Sequence, residues 1–145
     1  MRYVLADVNV WLATLVAEHP HHDAAVGWWR DVLLPAGDRI AFCRVAQLGL
    51  LRLLTNEQVM GPQRKSVREA WSIYQELLTL PVVVFAPEPE GTEERLAEHC
   101  RSVDAPRVFW TDAYLAAFAR AGGLGLVTFD RGFRRYAGLD LTVLA

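Results

Sequence analysis

The sequence has few cysteines and no long hydrophobic run, and each shortage excludes a class of protein. Cys43 and Cys100 are too far apart for a CxxC motif and too few for a disulfide framework. We therefore expect both cysteines to act as small apolar residues in a protein of a reducing compartment. No stretch reaches about 18 uncharged apolar residues, and the first apolar run is too short for a signal peptide. We therefore expect a soluble, cytoplasmic protein with no membrane association.

The chain also lacks an excess of charge of one sign. Its 145 residues carry 15 basic and 17 acidic side chains, for a formal net charge of -2. A protein that binds nucleic acid through bulk positive charge is thereby excluded, although a local basic patch is not. Apolar residues make up 52% and charged residues 22%, which is typical of a globular protein. This length suits one domain, and we predict a single domain over residues 1–145.

Short apolar segments alternate with helical patterns along the chain. Such alternation predicts an α/β fold whose parallel sheet is covered by helices on both faces. The predicted strands are 3–6, 40–42, 82–85, 124–128 and, at the edge, 141–144, and the predicted helices are 8–17, 23–34, 45–54, 61–80 and 111–121.

Other conspicuous side chains have simpler interpretations. Residues 86–104 hold six acids and two arginines, which predicts a solvated, partly helical segment with His99 exposed. The three histidines around Pro20 are too few for a zinc site and predict a loop. Trp71 lies on a helical stripe and is expected in the core or in a dimer interface.

Three aspartates fall where predicted strands end or the next helix begins. Asp7 follows the first strand, Asp130 follows the fourth, and Asp112 opens the helix between. Parallel strands end at one edge of the sheet, so we expect these side chains to meet there. Crowded carboxylates require a cation, and their hard oxygens indicate Mg²⁺ or Mn²⁺ and metal-dependent attack on a phosphodiester. Alternatively, each aspartate only caps its own helix.

Four short motifs stand in order along nearly the whole chain. They are DVNVW at 7–11, QLGLLRLLTN at 47–56, TDAYL at 111–115 and TFDRGF at 128–133. Together they resemble the motifs of PIN-domain ribonucleases and, more narrowly, of the VapC toxins of type II toxin–antitoxin pairs. The resemblance implies a three-layer α/β/α PIN-like domain with a central parallel sheet of four to five strands.

The resemblance also implies an activity and partners. The activity is that of a Mg²⁺- or Mn²⁺-dependent endoribonuclease, which cleaves single-stranded or looped RNA with a metal-activated water. The expected partners are a second copy of the chain, in a homodimer, and a cognate antitoxin protein that blocks the site. Asp7, Asp112 and Asp130 match three of the family's acids, which makes them the predicted catalytic and metal-binding residues. Asn9 and Thr128 match the polar positions that support those acids.

Gln47 departs from the family's pattern, because the family usually has a glutamate there. An amide oxygen accepts hydrogen bonds but brings no charge, so the cation is bound less tightly. Either one ion works with a substrate phosphate, or another acid such as Glu57 moves in. Equally, Gln47 is a buried residue that satisfies its own amide. The rival function is a non-catalytic RNA- or protein-binding module on a PIN scaffold with a weakened metal site.

An RNA substrate needs positive charge near this acidic site. Arg131, Arg134 and Arg135 follow the last of the three aspartates, and Arg107 precedes Trp110. We predict that these arginines contact RNA phosphates and that an aromatic plane such as Trp110 stacks on an unpaired base. The alternative is that the arginines are merely solvated and the tryptophan packs in the core.

Overall fold

A single parallel sheet forms the centre of the structure, a computed structural model that describes residues 1–102 and 109–145. Its strands are β1 (Tyr3–Ala6), β2 (Arg39–Phe42), β3 (Val83–Phe85), β4 (Gly125–Thr128) and β5 (Leu141–Val143). Every neighbouring pair is parallel, and the order across the sheet is β3-β2-β1-β4-β5. The predicted parallel sheet and its fifth strand at the edge are confirmed.

Helices cover both faces of this sheet. The α-helices of the described residues are α1 (Val8–Leu15), α2 (His22–Trp28), α3 (Leu34–Ala36), α4 (Arg44–Leu54), α5 (Glu57–Met60), α6 (Val67–Thr79), α7 (Thr92–Ser102) and α8 (Trp110–Gly122). Right-handed crossovers place α1 to α6 on one face and α7 and α8 on the other, as predicted for three layers. Within the described ranges, none of these helices is long and apolar enough to span a bilayer.

The strand order reverses direction beside β1. From β1 the chain steps outward to β2 and β3, and it then returns to the other side of β1 as β4 and β5. In open parallel sheets, ligands bind in the crevice outside the carboxyl ends of the strands at such a reversal. Asp7 directly follows β1, and Asp130 follows β4, so both aspartates lie at this crevice.

A close approach between α1 and α4 fixes one wall of the crevice. A Cβ atom built on Gly49 of α4 would lie only 2.8 Å from Cγ2 of Val8, the first residue of α1. Glycine therefore allows the two helices to touch where α1 begins. Below them, Trp11 stacks on Phe42 with ring centroids 3.8 Å apart, in a core that leaves both side chains fully buried.

The predicted helix over 61–80 is wrong at its start. Gly61–Gln63 form a short 3-10 turn, and α6 begins only at Val67. The Ser66 hydroxyl accepts a hydrogen bond from the backbone N of Glu69, whose carboxylate accepts one from the backbone N of Ser66. This capping box, rather than the proline after Gly61, sets the helix start.

His99 is buried, which contradicts its predicted exposure. It is only 2% exposed on α7, where its ring packs against Tyr136. Its Nε2 lies 3.0 Å from Nη1 of Arg120, and its Nδ1 lies 3.4 Å from the carbonyl oxygen of Ala113. Because arginine only donates, Nε2 accepts and Nδ1 carries the proton. The acidic composition of α7 describes its outer face and not the face that packs on α8.

We expect His99 to make the stability of the protein depend on pH. Burial lowers the pKa of His99, and the charge of Arg120 adds to this effect. The unfolded chain therefore takes up this proton near the ordinary value of 6.5, whereas the folded chain resists it. The contribution of neutral His99 to stability is complete above pH 6.5 and is lost as the pH falls below 6.5.

Thermal unfolding of the wild type and His99→Gln measures this contribution. Between about pH 7.5 and pH 5, the melting temperature of the wild type should fall more steeply than that of the variant, which cannot titrate at this position. Equal slopes would show that His99 takes up its proton over the same pH range in the folded and the unfolded chain.

Candidate active site

Asp7 ends β1 and caps α1 from a nearly buried position. Its Oδ1 accepts a hydrogen bond from the backbone N of Val8 at 2.7 Å, and its Oδ2 accepts one from the Thr128 hydroxyl at 2.8 Å. The residue is only 8% exposed. Burial raises the pKa of Asp7, the two hydrogen bonds oppose that rise, and the charge of Asp130 adds to it. The negative charge of the Asp7 carboxylate is therefore buried with little positive charge to compensate it.

The Thr128 hydroxyl joins the ends of β1 and β4. It donates to Asp7 and accepts hydrogen bonds from the Asn9 amide at 3.4 Å and from the backbone N of Asp130 at 3.0 Å. The Asn9 carbonyl oxygen accepts one from the backbone N of Phe129 at 3.3 Å. A hydroxyl has one donor and two acceptor positions, and all three are used here. The two supporting positions predicted from the sequence therefore lie between the two aspartates.

Asp112 lies half-buried in the first turn of α8, close enough to the other two aspartates for their charges to act on it. Its pKa is raised to about 6, first by burial and then by the charges of Asp7 and Asp130, while Arg135 opposes the rise. Asp130 is exposed, and its Oδ1 accepts a hydrogen bond from the backbone N of Gly132 at 2.7 Å. All three aspartates therefore share one crevice, and two of them also cap a helical turn, so capping and clustering occur together.

This crevice is an open site rather than a closed cage. Within residues 1–102 and 109–145, no three acidic, histidine or cysteine side chains converge on one metal position. Mg²⁺ usually keeps several waters and takes one or two carboxylates together with substrate phosphates. Asp7 and Asp112 offer hard oxygen ligands whose raised pKa values reflect burial and the charges of neighbouring aspartates. These residues fit an ion of that kind, because its charge would relieve the repulsion.

Gln47 is buried in α4 and has its own hydrogen-bond partner. Its Oε1 accepts a hydrogen bond from Nη1 of Arg44, whose guanidinium also lies 4.7 Å from the centroid of the Phe85 ring. Gln47 is therefore buried with its amide oxygen hydrogen-bonded, and its part in the metal site stays a prediction. Glu57 lies beyond the far end of α4, which is about 16 Å long, so it does not replace the missing acid.

Sequence reasoning missed Arg44. It is exposed in the first turn of α4, where a positive charge opposes the helix dipole. An arginine at a position that is unfavourable for the helix indicates a role other than helix stability. It places one positive charge near the carboxyl end of β2, beside the crevice.

We expect Gln47→Glu to tighten the binding of Mn²⁺ by about tenfold. The introduced carboxylate would add a fourth negative charge next to the crevice, and Arg44 would still pair with it. Calorimetric titration of metal-free protein with Mn²⁺ measures the affinity. Gln75→Glu is the matched control, because it adds the same charge on an exposed face of α6. Equal affinities for the two variants would remove residue 47 from the metal site.

The predicted RNA-contacting arginines lie on the loop after β4. Arg131, Arg134 and Arg135 are exposed in a 3-10 turn (Arg131–Arg135), and Nε of Arg135 donates to the Gly132 carbonyl oxygen at 2.7 Å. Arg107 lies outside the described residues. Trp110 is 62% exposed, so the alternative that it packs in the core is wrong.

Comparison with known proteins agrees with this fold and crevice. The chain belongs to the PIN-domain family, whose model matches residues 4–139. Ribonuclease VapC41 of Mycobacterium tuberculosis is 44% identical, with 98% of this chain and 99% of that protein covered. Ribonuclease VapC29 of the same species is 34% identical, with 97% and 95% covered. These relatives are VapC ribonucleases, which confirms the resemblance seen in the four motifs.

Solved structures share the fold at low sequence identity. A complex described as VapBC2 from Rickettsia felis bound to a DNA fragment from their promoter gives a TM-score of 0.75 at 15% identity, with 99% of both chains covered. M. tuberculosis VapC20, described as a sarcin-ricin loop cleaving toxin, gives 0.69 at 17% identity, with 98% and 99% covered. These matches confirm the predicted α/β/α PIN-like fold.

Proposed function

We propose that this protein is a Mg²⁺- or Mn²⁺-dependent endoribonuclease and the toxin of a type II toxin–antitoxin pair. The observation that carries the proposal is the set of three aspartates at the strand-order reversal, with the pKa of Asp112 raised to about 6 by burial and by the other two charges. Membership among the VapC ribonucleases supports the same activity.

The residues of the crevice have distinct roles in this proposal. Asp7 and Asp112 would hold the ion, and Asp130 would add negative charge beside it. When bound, the ion activates water and offsets negative charge on a phosphoryl oxygen. Thr128 orients the Asp7 carboxylate and the backbone of Asp130, and Asn9 fixes Thr128 through its amide.

The substrate in this proposal is single-stranded or looped RNA. Arg131, Arg134 and Arg135 are exposed beside the crevice, and Arg107 belongs to the same predicted set. Their guanidinium groups bind phosphates and so offset the repulsion between RNA and the acidic cluster. VapC20 is described as a sarcin-ricin loop cleaving toxin, which supports a looped substrate. An enzyme with this substrate acts in the cytoplasm.

We further infer a cognate antitoxin protein and a homodimer. Structural neighbours are described as VapBC complexes, one of them bound to promoter DNA, which supports an antitoxin partner for this chain. An exposed and strongly acidic crevice flanked by arginines is a surface that such a partner can cover.

A second candidate function is a non-catalytic RNA- or protein-binding module on the same scaffold. The specific observation in its favour is the Arg44–Gln47 hydrogen bond, which stands where the family usually has an acid. That arrangement leaves the crevice with three carboxylates.

A cleavage assay distinguishes the two functions. Purified protein freed of antitoxin is incubated with structured RNA in Mn²⁺, then with excess EDTA, and then with Mn²⁺ restored. The proposal expects fragments only when Mn²⁺ is available, together with a higher melting temperature in Mn²⁺, because a ligand of the folded state stabilises it. Gel retardation without fragments under all conditions would support the binding module instead.

A further inference from the structure

Two adjacent aromatic side chains are exposed at the edge of the crevice. Phe109 is 52% and Trp110 is 62% exposed, at the point where α8 begins. Other large rings such as Trp11 and Phe118 are completely buried, and Trp71 on α6, at 45%, is less exposed than either of these two. The inner face of α8 is filled by later residues of that helix, so folding of α8 does not require these two rings. A pair of exposed rings next to a functional site is typical of a binding surface.

The aromatic pair is tied to the crevice through Arg135. Its guanidinium carbon lies 6.0 Å from the centroid of the Phe109 ring, which is within the range of a cation–π contact. Asp112 follows Trp110 by two residues in the first turn of α8, and Arg135 lies close enough to Asp112 to oppose the rise in its pKa. The Phe109 ring and the guanidinium and carboxylate of Arg135 and Asp112 are thus neighbours, and Trp110 follows Phe109 directly in the chain.

The chemistry of this surface favours a nucleobase over a protein segment. Flat aromatic rings combined with arginine form the usual platform for unpaired bases, since every base has a π face and is linked to a phosphate. The pair lies beside a loop with three exposed arginines, Arg131, Arg134 and Arg135. Positive charge around two rings complements an RNA strand, whereas an apolar helix would need a wider apolar surface.

We propose that Phe109, Trp110 and Arg135 form a stacking subsite for an unpaired nucleobase next to the scissile phosphate. This inference rests on the proposed ribonuclease function and adds to it the form of RNA that is recognised. The rings stack on the base while Arg135 binds its phosphate. A base held in a duplex is not available for stacking, so the subsite selects single-stranded or looped RNA.

Binding of two labelled oligomers tests the subsite without any cleavage. One is an oligoadenylate, and the other is an abasic ribose-phosphate oligomer of equal length, which keeps the phosphates and lacks the bases. Fluorescence anisotropy in EDTA measures both affinities. We expect the wild type to bind oligoadenylate roughly 10- to 100-fold more tightly than the abasic oligomer. Trp110→Ala and Phe109→Ala should lose most of that preference and bind the abasic oligomer as tightly as the wild type does.

Two further variants serve as controls. Trp110→Phe should retain most of the preference, because it keeps a ring. Trp71→Ala removes an exposed tryptophan from α6, on the opposite face of the sheet, and should bind both oligomers like the wild type.

The outcomes separate this inference from the proposed function. Absence of Mn²⁺-dependent cleavage by the wild type would refute the nuclease, while the anisotropy data would still decide whether bases stack. The subsite is overturned if Trp110→Ala and Phe109→Ala keep the wild-type preference, or if they weaken both oligomers equally. It is also overturned if they leave RNA binding intact and only weaken the complex with the antitoxin, since the rings would then serve a protein partner.

Discussion

Replacing Asp112 with asparagine should abolish RNA cleavage and yet make the metal-free protein more stable. The variant removes a carboxylate that the proposed mechanism requires, and a loss of at least about 1,000-fold is expected. It also removes a charge that the folded protein opposes, because burial and the charges of Asp7 and Asp130 raise the pKa of Asp112 to about 6. Function and stability therefore respond in opposite directions.

The sign of the stability effect follows from proton linkage. The pKa of Asp112 in the folded protein lies above its ordinary value of 3.8. Protonation of Asp112 therefore stabilises the folded state, and this stabilisation is complete when the pH is below 3.8. This advantage is lost as the pH rises through about 6. After allowance for solvent screening of a half-exposed group, Asp112→Asn should gain roughly 1 kcal/mol at neutral pH, or about 3 °C in melting temperature. The gain should vanish near pH 4.

Melting curves in EDTA at several pH values, with a cleavage assay in Mn²⁺, check both parts. Asp31→Asn is the matched control, since Asp31 is exposed and pairs with its neighbour Arg30. That variant should cleave RNA at the wild-type rate. Asp7→Asn should lose cleavage with its fold intact, because an asparagine oxygen can still cap α1. Wild-type cleavage by Asp112→Asn or Asp7→Asn would refute the assignment of these aspartates.

Thr128→Val should lose both activity and stability. Valine has the same shape but no hydroxyl, so Asp7 loses a donor, and the Asn9 amide and the backbone N of Asp130 lose their acceptor. Leaving buried polar groups unpaired costs about 1–3 kcal/mol. Misorientation of a carboxylate that binds the ion reduces activity by roughly 10- to 100-fold.

Thr128→Ser separates the hydroxyl from the rest of the side chain. Serine keeps the donor and both acceptor positions, so its cleavage rate and Mn²⁺ affinity should be close to those of the wild type. Denaturant unfolding, Mn²⁺ titration and cleavage rates of the two variants provide the comparison. If Thr128→Val is less stable but cleaves normally, Thr128 supports only the fold.

The crevice was predictable because its residues follow from local patterns. A short apolar strand that ends at Asp7 and another that ends before Asp130 place both side chains at the carboxyl edge of a parallel sheet. Four motifs in order indicated the family, which the comparisons confirm. The roles of Asp7, Asp112 and Asp130 as metal ligands, a single domain over 1–145 and the homodimer stay predictions.

Features that depend on packing between distant elements were not predictable. The burial of His99 arises from the contact of α7 with α8, whereas the composition of its segment indicates solvent. The engagement of Gln47 by Arg44 depends on side-chain conformations in the first turn of α4. The place of β4 beside β1, rather than beside β3, is a property of the whole sheet that no local pattern contains.

The strand order also decides when during synthesis the protein could become harmful to the cell that makes it. β4 is the fourth strand to leave the ribosome, and it must insert beside the first before Asp130 can face Asp7. A nascent chain that ends before Gly125 contains β1, β2, β3 and α8 but lacks β4 and Asp130. Translation and a late strand pairing would thus delay assembly of the crevice until the polypeptide is almost finished, and products that end before Gly125 would lack Asp130.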